Sequence, residues 1–272
     1  MISSPHGFMH CEVPVATHSR MTESRSFRVE AVVLRHADWG EADRLLTLYT
    51  RERGKVRAIA KGARKIRSRK AGHLEPFTRV TLQLARGHDL LIVTQVDTLD
   101  AYLPIHEDLV KTGRAAYIVE ILDRFTYEDE SENPGIFRLL TEALARLAQE
   151  TDPWLAIRYY EAQLLDLLGY RPHLFECAKC GREIKAEDQF FSAAQGGVLC
   201  PACGAGMTGA WSISMEALKY LRHFQRSDYA AVRRARPTTE IQGQVEAILQ
   251  RYVTYLLERS LNSPAFIDQV KK

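Results

Sequence analysis

RERGKVRAIAKGARKIRSRK, residues 51–70, is where this chain's positive charge gathers. It holds ten Lys and Arg side chains against one acid, Glu52, so it nets +9 while the whole chain nets only +3. Everything outside it therefore sums to about −6, a segregation that marks a surface shaped for a polyanion. The stretch is also patterned. Val56, Ala58 and Ala60 alternate with Lys55, Arg57 and Lys61, the period-2 signature of a half-buried strand. Gly54 and Gly62 bracket it as turn residues. A strand with a basic face that runs into a basic loop predicts a β-domain that meets nucleic-acid backbone. The competing reading is a solvated Lys/Arg face kept for solubility; the lopsided charge on an ordered strand favours the polyanion.

Working outward, the same periodicity predicts four more strands. Residues 27–34 alternate and then run apolar, residues 45–49 follow after the turn DWGEAD (38–43), Val80, Leu82 and Leu84 alternate after the basic loop, and residues 90–96 return after Arg86-Gly87-His88. Five short strands in about 70 residues predict a small closed barrel, of which the OB-fold and the SH3-like barrel are the two candidates. At Leu103-Pro104 the period becomes helical. Asn133-Pro134 and Asp152-Pro153 read as helix starts, Gly169 as a helix end, Ser214 as a cap, and Thr239 with Gln242 as a capping box. The expected organisation is a flexible leader over 1–24, a β-barrel domain over 25–102 and an α-helical domain over 103–272 interrupted at 175–208. The chain has no apolar run long enough for a membrane helix and no secretory signal at its start, so a cytoplasmic, nucleoid-associated protein is expected, with Met21 as an alternative first residue.

The interruption carries its own chemistry. Cys177-x-x-Cys180 and Cys200-x-x-Cys203 are separated by residues 181–199, the spacing of a two-knuckle zinc ribbon. Each knuckle turns two thiolates to one side of a loop, and a hairpin through Phe190-Phe191 and Val198-Leu199 brings the pairs together around one Zn²⁺. Four protein ligands leave no open position, so the zinc is expected to be structural. Gly181 and Gly204, each after a second cysteine, are expected to relieve strain in the knuckles.

Four segments, VLRHADWGEADRLLTLYTRERGKVRAIAKGARKIRSRKAG (33–72), LEPFTRV (74–80), AYIVEIL (116–122) and RYYEAQLLDLLGYRPHLFECAKCG (158–181), resemble the bacterial recombination mediator family RecO. The resemblance implies a multidomain α+β architecture, with an N-terminal five-stranded OB-fold barrel and a C-terminal helical domain carrying an inserted four-cysteine zinc ribbon. It implies binding of single- and double-stranded DNA, annealing of complementary strands, and work with RecR to help RecA replace single-strand-binding protein (SSB). On this basis Arg35, Arg57, Lys61, Arg64, Lys65, Arg67, Arg69 and Lys70 are assigned to phosphate contact, which sets affinity and salt dependence rather than sequence preference. Arg158 falls where the family holds the acidic, apolar C-terminal tail of SSB; the competing reading is a helix-surface pair with Glu161 or Glu150. Trp39, Tyr49 and Phe77 are candidates for base stacking, or for barrel core.

Enzyme chemistry is not expected. The histidines show no metal-protease spacing, and no phosphate-binding glycine loop or nucleophile elbow is present. Asp38, Glu41 and Asp43 offer a weak divalent-metal cluster for a nuclease, against the commoner reading of turn carboxylates beside arginines. The remaining alternative is a generic OB and zinc-ribbon adaptor on RNA or in a transcription complex.

Overall fold

The computed structural model describes residues 25–128 and 133–261, with side chains to residue 257; the leader, part of the acidic loop and the C-terminal tail fall outside these residues. Five strands lead: β1 (Ser26–Trp39), β2 (Asp43–Thr50), β3 (Gly54–Ala60), β4 (Arg79–Arg86) and β5 (Leu91–Asp100). They close into a barrel in the order β1-β2-β3-β5-β4. Every neighbouring pair is antiparallel except β3 and β5, which run parallel through Ala58 and Leu91, then Ile59 and Ile92. Alternate residues fill the inside: Val29, Ala31 and Val33 from β1, Leu46 and Leu48 from β2, Ala58 and Ala60 from β3, Val80, Leu82 and Leu84 from β4. Ala63 and Leu74, from the loop after β3, close the core from outside the strands.

The uninterrupted apolar run of residues 31–34 has a physical cause. Ala31 and Val33 face the barrel core, whereas Val32 and Leu34 face a second core shared with the helices. Tyr49, Phe77 and Tyr102 join that second core. Phe77 reaches it at a cost in backbone geometry: its φ is +69°, unusual for a bulky residue, and its N–H donates to the Val33 carbonyl at 2.7 Å. A register shift between Val33 and Arg35 re-aims β1 at this point.

The helices are α1 (Leu103–His106), α2 (Leu109–Phe125), α3 (Pro134–Gln149), α4 (Trp154–Leu167), α5 (Pro201–Gly204), α6 (Met215–Arg226), α7 (Tyr229–Arg234) and α8 (Thr239–Leu261). The expected starts hold where side-chain chemistry dictates them. The Asn133 side-chain carbonyl accepts from the N–H groups of Gly135 and Ile136, and Ser214 Oγ from Ala217. Two differ in detail. Pro153 is the cap of α4 and Asp152 accepts from Trp154 one step outside it. The α8 cap is Thr238, whose hydroxyl accepts from Ile241 N–H, so the helix begins at Thr239 instead of after it. Gly169 ends the α4 turn at φ +79°, with Tyr170 N–H returning to the Leu165 carbonyl.

Barrel and helices are joined at the C-terminal end of α2. Lys55 Nζ donates to the Asp123 and Thr126 carbonyls at 2.6 and 3.1 Å, satisfying groups that the helix end leaves open. Arg35 Nε meets the Asp123 carboxylate at 3.1 Å. Between α4 and α6 a three-stranded sheet, β7-β6-β8, is built from β6 (Gln189–Ser192), β7 (Gly197–Leu199) and β8 (Ala210–Ile213). The expected hairpin is β6–β7, with Phe190 opposite Leu199; the third strand, β8, was not among the expected strands, although Gly206 and Gly209 turn the chain just ahead of it. Among the described residues no helix is long and apolar enough to cross a membrane.

Candidate nucleic-acid interface and metal centre

The structure sorts the basic residues into two groups. The first faces solvent on the loop of residues 61–78. Gly62, at φ +68°, starts it, and its N–H donates to Asp43 Oδ1 at 2.7 Å. Arg64 pins the loop to the β1–β2 turn: its N–H donates to the Ala42 carbonyl at 2.9 Å, and its guanidinium pairs with Asp38 at 3.1 Å and reaches the Gly40 and Glu41 carbonyls. Ala63 and Leu74 root both ends in the barrel. With the loop so fixed, Lys61, Lys65, Arg67 and Arg69 stand exposed, and none has an ion-pair partner among the described residues. Asp38 and Asp43 are occupied by Arg64 and the Gly62 N–H, which is the turn-carboxylate role rather than a metal cluster.

The second group is engaged within the protein. Arg35 pairs with Asp123, Arg57 with Glu128 at 3.7 Å, and Lys70 Nζ donates to the Val93 carbonyl at 2.8 Å. Sequence charge counts cannot separate the two groups, because the partners lie 23 to 88 residues away. Sequence reasoning also missed a cationic cleft of about 350 Å³ where Arg57 and Arg53, stacked over Phe27 at 4.1 Å, meet Arg86 and His88 of the β4–β5 turn. Of the stacking candidates, Tyr49 and Phe77 are buried in the second core and present no face to a base; Trp39 is half exposed at the end of β1.

The four cysteine sulfurs, two from the loop ahead of β6 and two at the start of and within α5, lie within 4.8 Å of one another. Cys180 and Cys200 Sγ are 3.9 Å apart, close to the edge of about 3.8 Å expected for a tetrahedron with 2.3 Å metal–sulfur bonds. The donor set points the same way. Burial pushes the Cys177 thiol up, but the N–H groups of Cys200, Cys180 and Lys179 outweigh it and hold it down at about 6. Cys203, crowded by the sulfurs of Cys200 and Cys180, is pushed up to about 12. A site that favours the thiolate at Cys177 and opposes a second charge at Cys203 is one that a divalent cation would relieve. Of the two knuckle glycines, Gly181 holds φ +72° as expected. Gly204 does not; it is glycine because a Cβ there would come within 2.5 Å of Phe190 Cβ.

Arg158 is buried, not on a helix surface. Its guanidinium lies 3.1 Å from Glu161, and Glu161 also accepts from the Tyr117 hydroxyl. Glu150 instead accepts from Tyr229. Nη1 is the atom that meets Glu161, whereas Nε makes no hydrogen bond among the described residues, and the side chain lines a cavity of about 220 Å³ with Arg114, Tyr117, Trp154, Glu246 and Gln250. A buried guanidinium with its Nε to spare, beside Arg114 and the apolar faces of Trp154 and Ile157, can take a carboxylate, with Glu246 setting the side from which an anion is repelled. Burial raises the Glu161 carboxyl from an ordinary 4.5 to about 7, against the pull of Arg158 and Tyr117. The folded state thus holds this proton more tightly than the unfolded one. The resulting stabilisation is complete below pH 4.5 and is lost as pH rises through 7, on the order of 3 kcal/mol. Thermal melts from pH 4.5 to 8 are expected to show this loss, and Glu161→Gln to flatten it; parallel curves would refute the assignment.

Residues 21–102 match the family model for the recombination protein O N terminal, and residues 106–265 the model for the recombination protein O C terminal. Over 248 residues the chain is 41% identical to the DNA repair protein RecO of Roseiflexus sp. (strain RS-1), covering 91% of this chain and 87% of that one. It is 35% identical over 252 residues to the DNA repair protein RecO of Dehalococcoides mccartyi, 93% and 99% of the two chains. It is 35% identical over 243 residues to that of Pelotomaculum thermopropionicum, 89% and 94%.

Proposed function

We propose, because this chain belongs to the recombination protein O (RecO) family and so has a role in DNA repair and recombination, that it is a non-enzymatic DNA-binding mediator. It binds single- and double-stranded DNA through the loop of residues 61–78, anneals complementary strands, and works with RecR to help RecA onto SSB-coated DNA. The observation that carries this reading is the row of exposed cations Lys61, Lys65, Arg67 and Arg69, without ion-pair partners among the described residues, on a loop anchored by Arg64. Annealing breaks no bond. It requires that two polyanions approach, which phosphate neutralisation with release of counterions permits. We read the closed barrel as an OB-fold, and Trp39 as the aromatic residue available for a base.

In the same reading Cys177, Cys180, Cys200 and Cys203 hold a structural Zn²⁺ that fixes the β6–β8 sheet. The cavity at Arg158 takes the C-terminal carboxylate and apolar tail of SSB. The protein acts in the cytoplasm, at the nucleoid. The adaptor alternative, on RNA or in a transcription complex, has no specific observation in its favour.

One experiment tests the reading: annealing of fluorescent complementary strands, bare or SSB-coated, without ATP or Mg²⁺ and across salt. Annealing that weakens as salt rises is expected. Arg158→Lys is expected to slow the reaction on coated strands and leave it unchanged on bare ones. Strand cleavage, preference for RNA, or no annealing would overturn the reading.

A further inference from the structure

We propose that Ile66 is an apolar wedge that inserts between adjacent bases of bound DNA. This rests on the DNA-binding reading above and adds a residue that contacts bases rather than phosphates. Ile66 is fully exposed, more so than any other large apolar side chain among the described residues. Single exposed apolar side chains are ordinary on protein surfaces, so the surroundings decide. Ile66 occupies the first corner of a tight turn that the Ser68 N–H closes onto the Lys65 carbonyl at 2.8 Å. Such corners favour proline or small polar residues, and a β-branched apolar side chain gains nothing there from the fold.

The turn is fastened on both sides. Arg64 fastens its near side to Asp38, Gly40 and Ala42, and Lys70 Nζ fastens its far side to the Val93 carbonyl. Lys65 and Arg67 flank Ile66, and Arg69 follows, all exposed. An apolar tip between cations is the arrangement by which proteins unstack a base step: the cations hold the phosphates on either side while the apolar group enters the gap. Trp39 lies between two residues that Arg64 bonds, so a base freed by the wedge has an aromatic face nearby. The ligand is thus a stacked nucleobase step in single-stranded or duplex DNA, and the consequence is bases held apart and presented for pairing.

The test uses the full chain and oligonucleotides carrying 2-aminopurine, whose fluorescence rises when it is unstacked. Wild type is expected to raise the signal on binding. Ile66→Ala is expected to lose that rise and bind roughly tenfold more weakly, with the same dependence on salt because every cation remains. Its melting temperature is expected to be unchanged, since the side chain is fully exposed among the described residues. DNA binding by wild type with an equal fluorescence rise and equal affinity in Ile66→Ala overturns the wedge alone. Failure of wild type to bind DNA overturns the underlying reading as well. Loss of binding to a protein partner with unchanged DNA signals would assign Ile66 to a protein interface, and also overturns the wedge.

Discussion

Replacing Lys61, Lys65, Arg67 and Arg69 together by alanine is expected to remove about three to four units from the slope of log affinity against log salt. Each phosphate contact contributes a slope of about 0.9 on duplex and about 0.7 on single strands. Wild type should accordingly lose about a hundredfold more affinity than the variant over a fourfold rise in salt. The four side chains were chosen because they are exposed and have no ion-pair partner among the described residues, so removing them takes nothing from the fold. Arg64 is left in place because it anchors the loop through Asp38 and three backbone carbonyl or amide contacts around the β1–β2 turn. Arg35→Ala and Arg57→Ala are the contrast: each removes a cation already paired with Asp123 or Glu128 and should lower the salt slope less than loss of a loop cation does, with little change in melting temperature because both pairs are solvent-exposed. An unchanged slope in the quadruple variant, measured by anisotropy with labelled oligonucleotides, would remove the loop from the interface.

Stripping metal from the four-cysteine site is expected to lower the melting temperature by roughly 10–20 °C. Structural zinc sites contribute folding free energy directly, and about 5 kcal/mol lost from a chain of this size corresponds to a shift of that order. The effect should not stay local. Phe191 of β6 is fully buried and packs edge-on against Tyr252 of α8 at 5.6 Å, so loosening the sheet opens the helical core. Cys177→Ser should reproduce the loss, since Cys177 is the buried ligand and accepts from the Cys200 N–H. Elemental assay should find one zinc per chain before chelation. A melting temperature indifferent to chelator, with no metal found, would sink the site.

The strands and most helix starts were legible in the residues because they depend on local physics. Alternation shows which side of a strand is dry, and Asn133 or Ser214 can only satisfy the N–H groups just ahead of it. The cysteine spacing was legible for the same reason, as two short turns and a hairpin. What was not legible depends on distant partners. Nothing near Gly204 announces that Phe190 lies against it, and nothing near Arg158 announces a buried cavity. Tyr49 and Phe77 read equally well as core or as platforms until the second core is known to cover them. The basic stretch is the sharpest instance: its total charge was evident, but which cations remained available was set by Asp123, Glu128 and the Val93 carbonyl.

The grip of Lys55 and Arg35 on the end of α2 bears on any attempt to cut the protein at residue 102 and use the front piece alone. Severed from α2, those two side chains and Arg57 would lose their carboxylate and carbonyl partners, leaving their charges uncompensated. The fragment would be a stickier, less discriminating adsorbent for any polyanion than the intact molecule. The helical body thus acts as a restraint on the barrel: it neutralises Lys55, Arg35 and Arg57, while the projecting loop carries cations that have no ion-pair partner among the described residues.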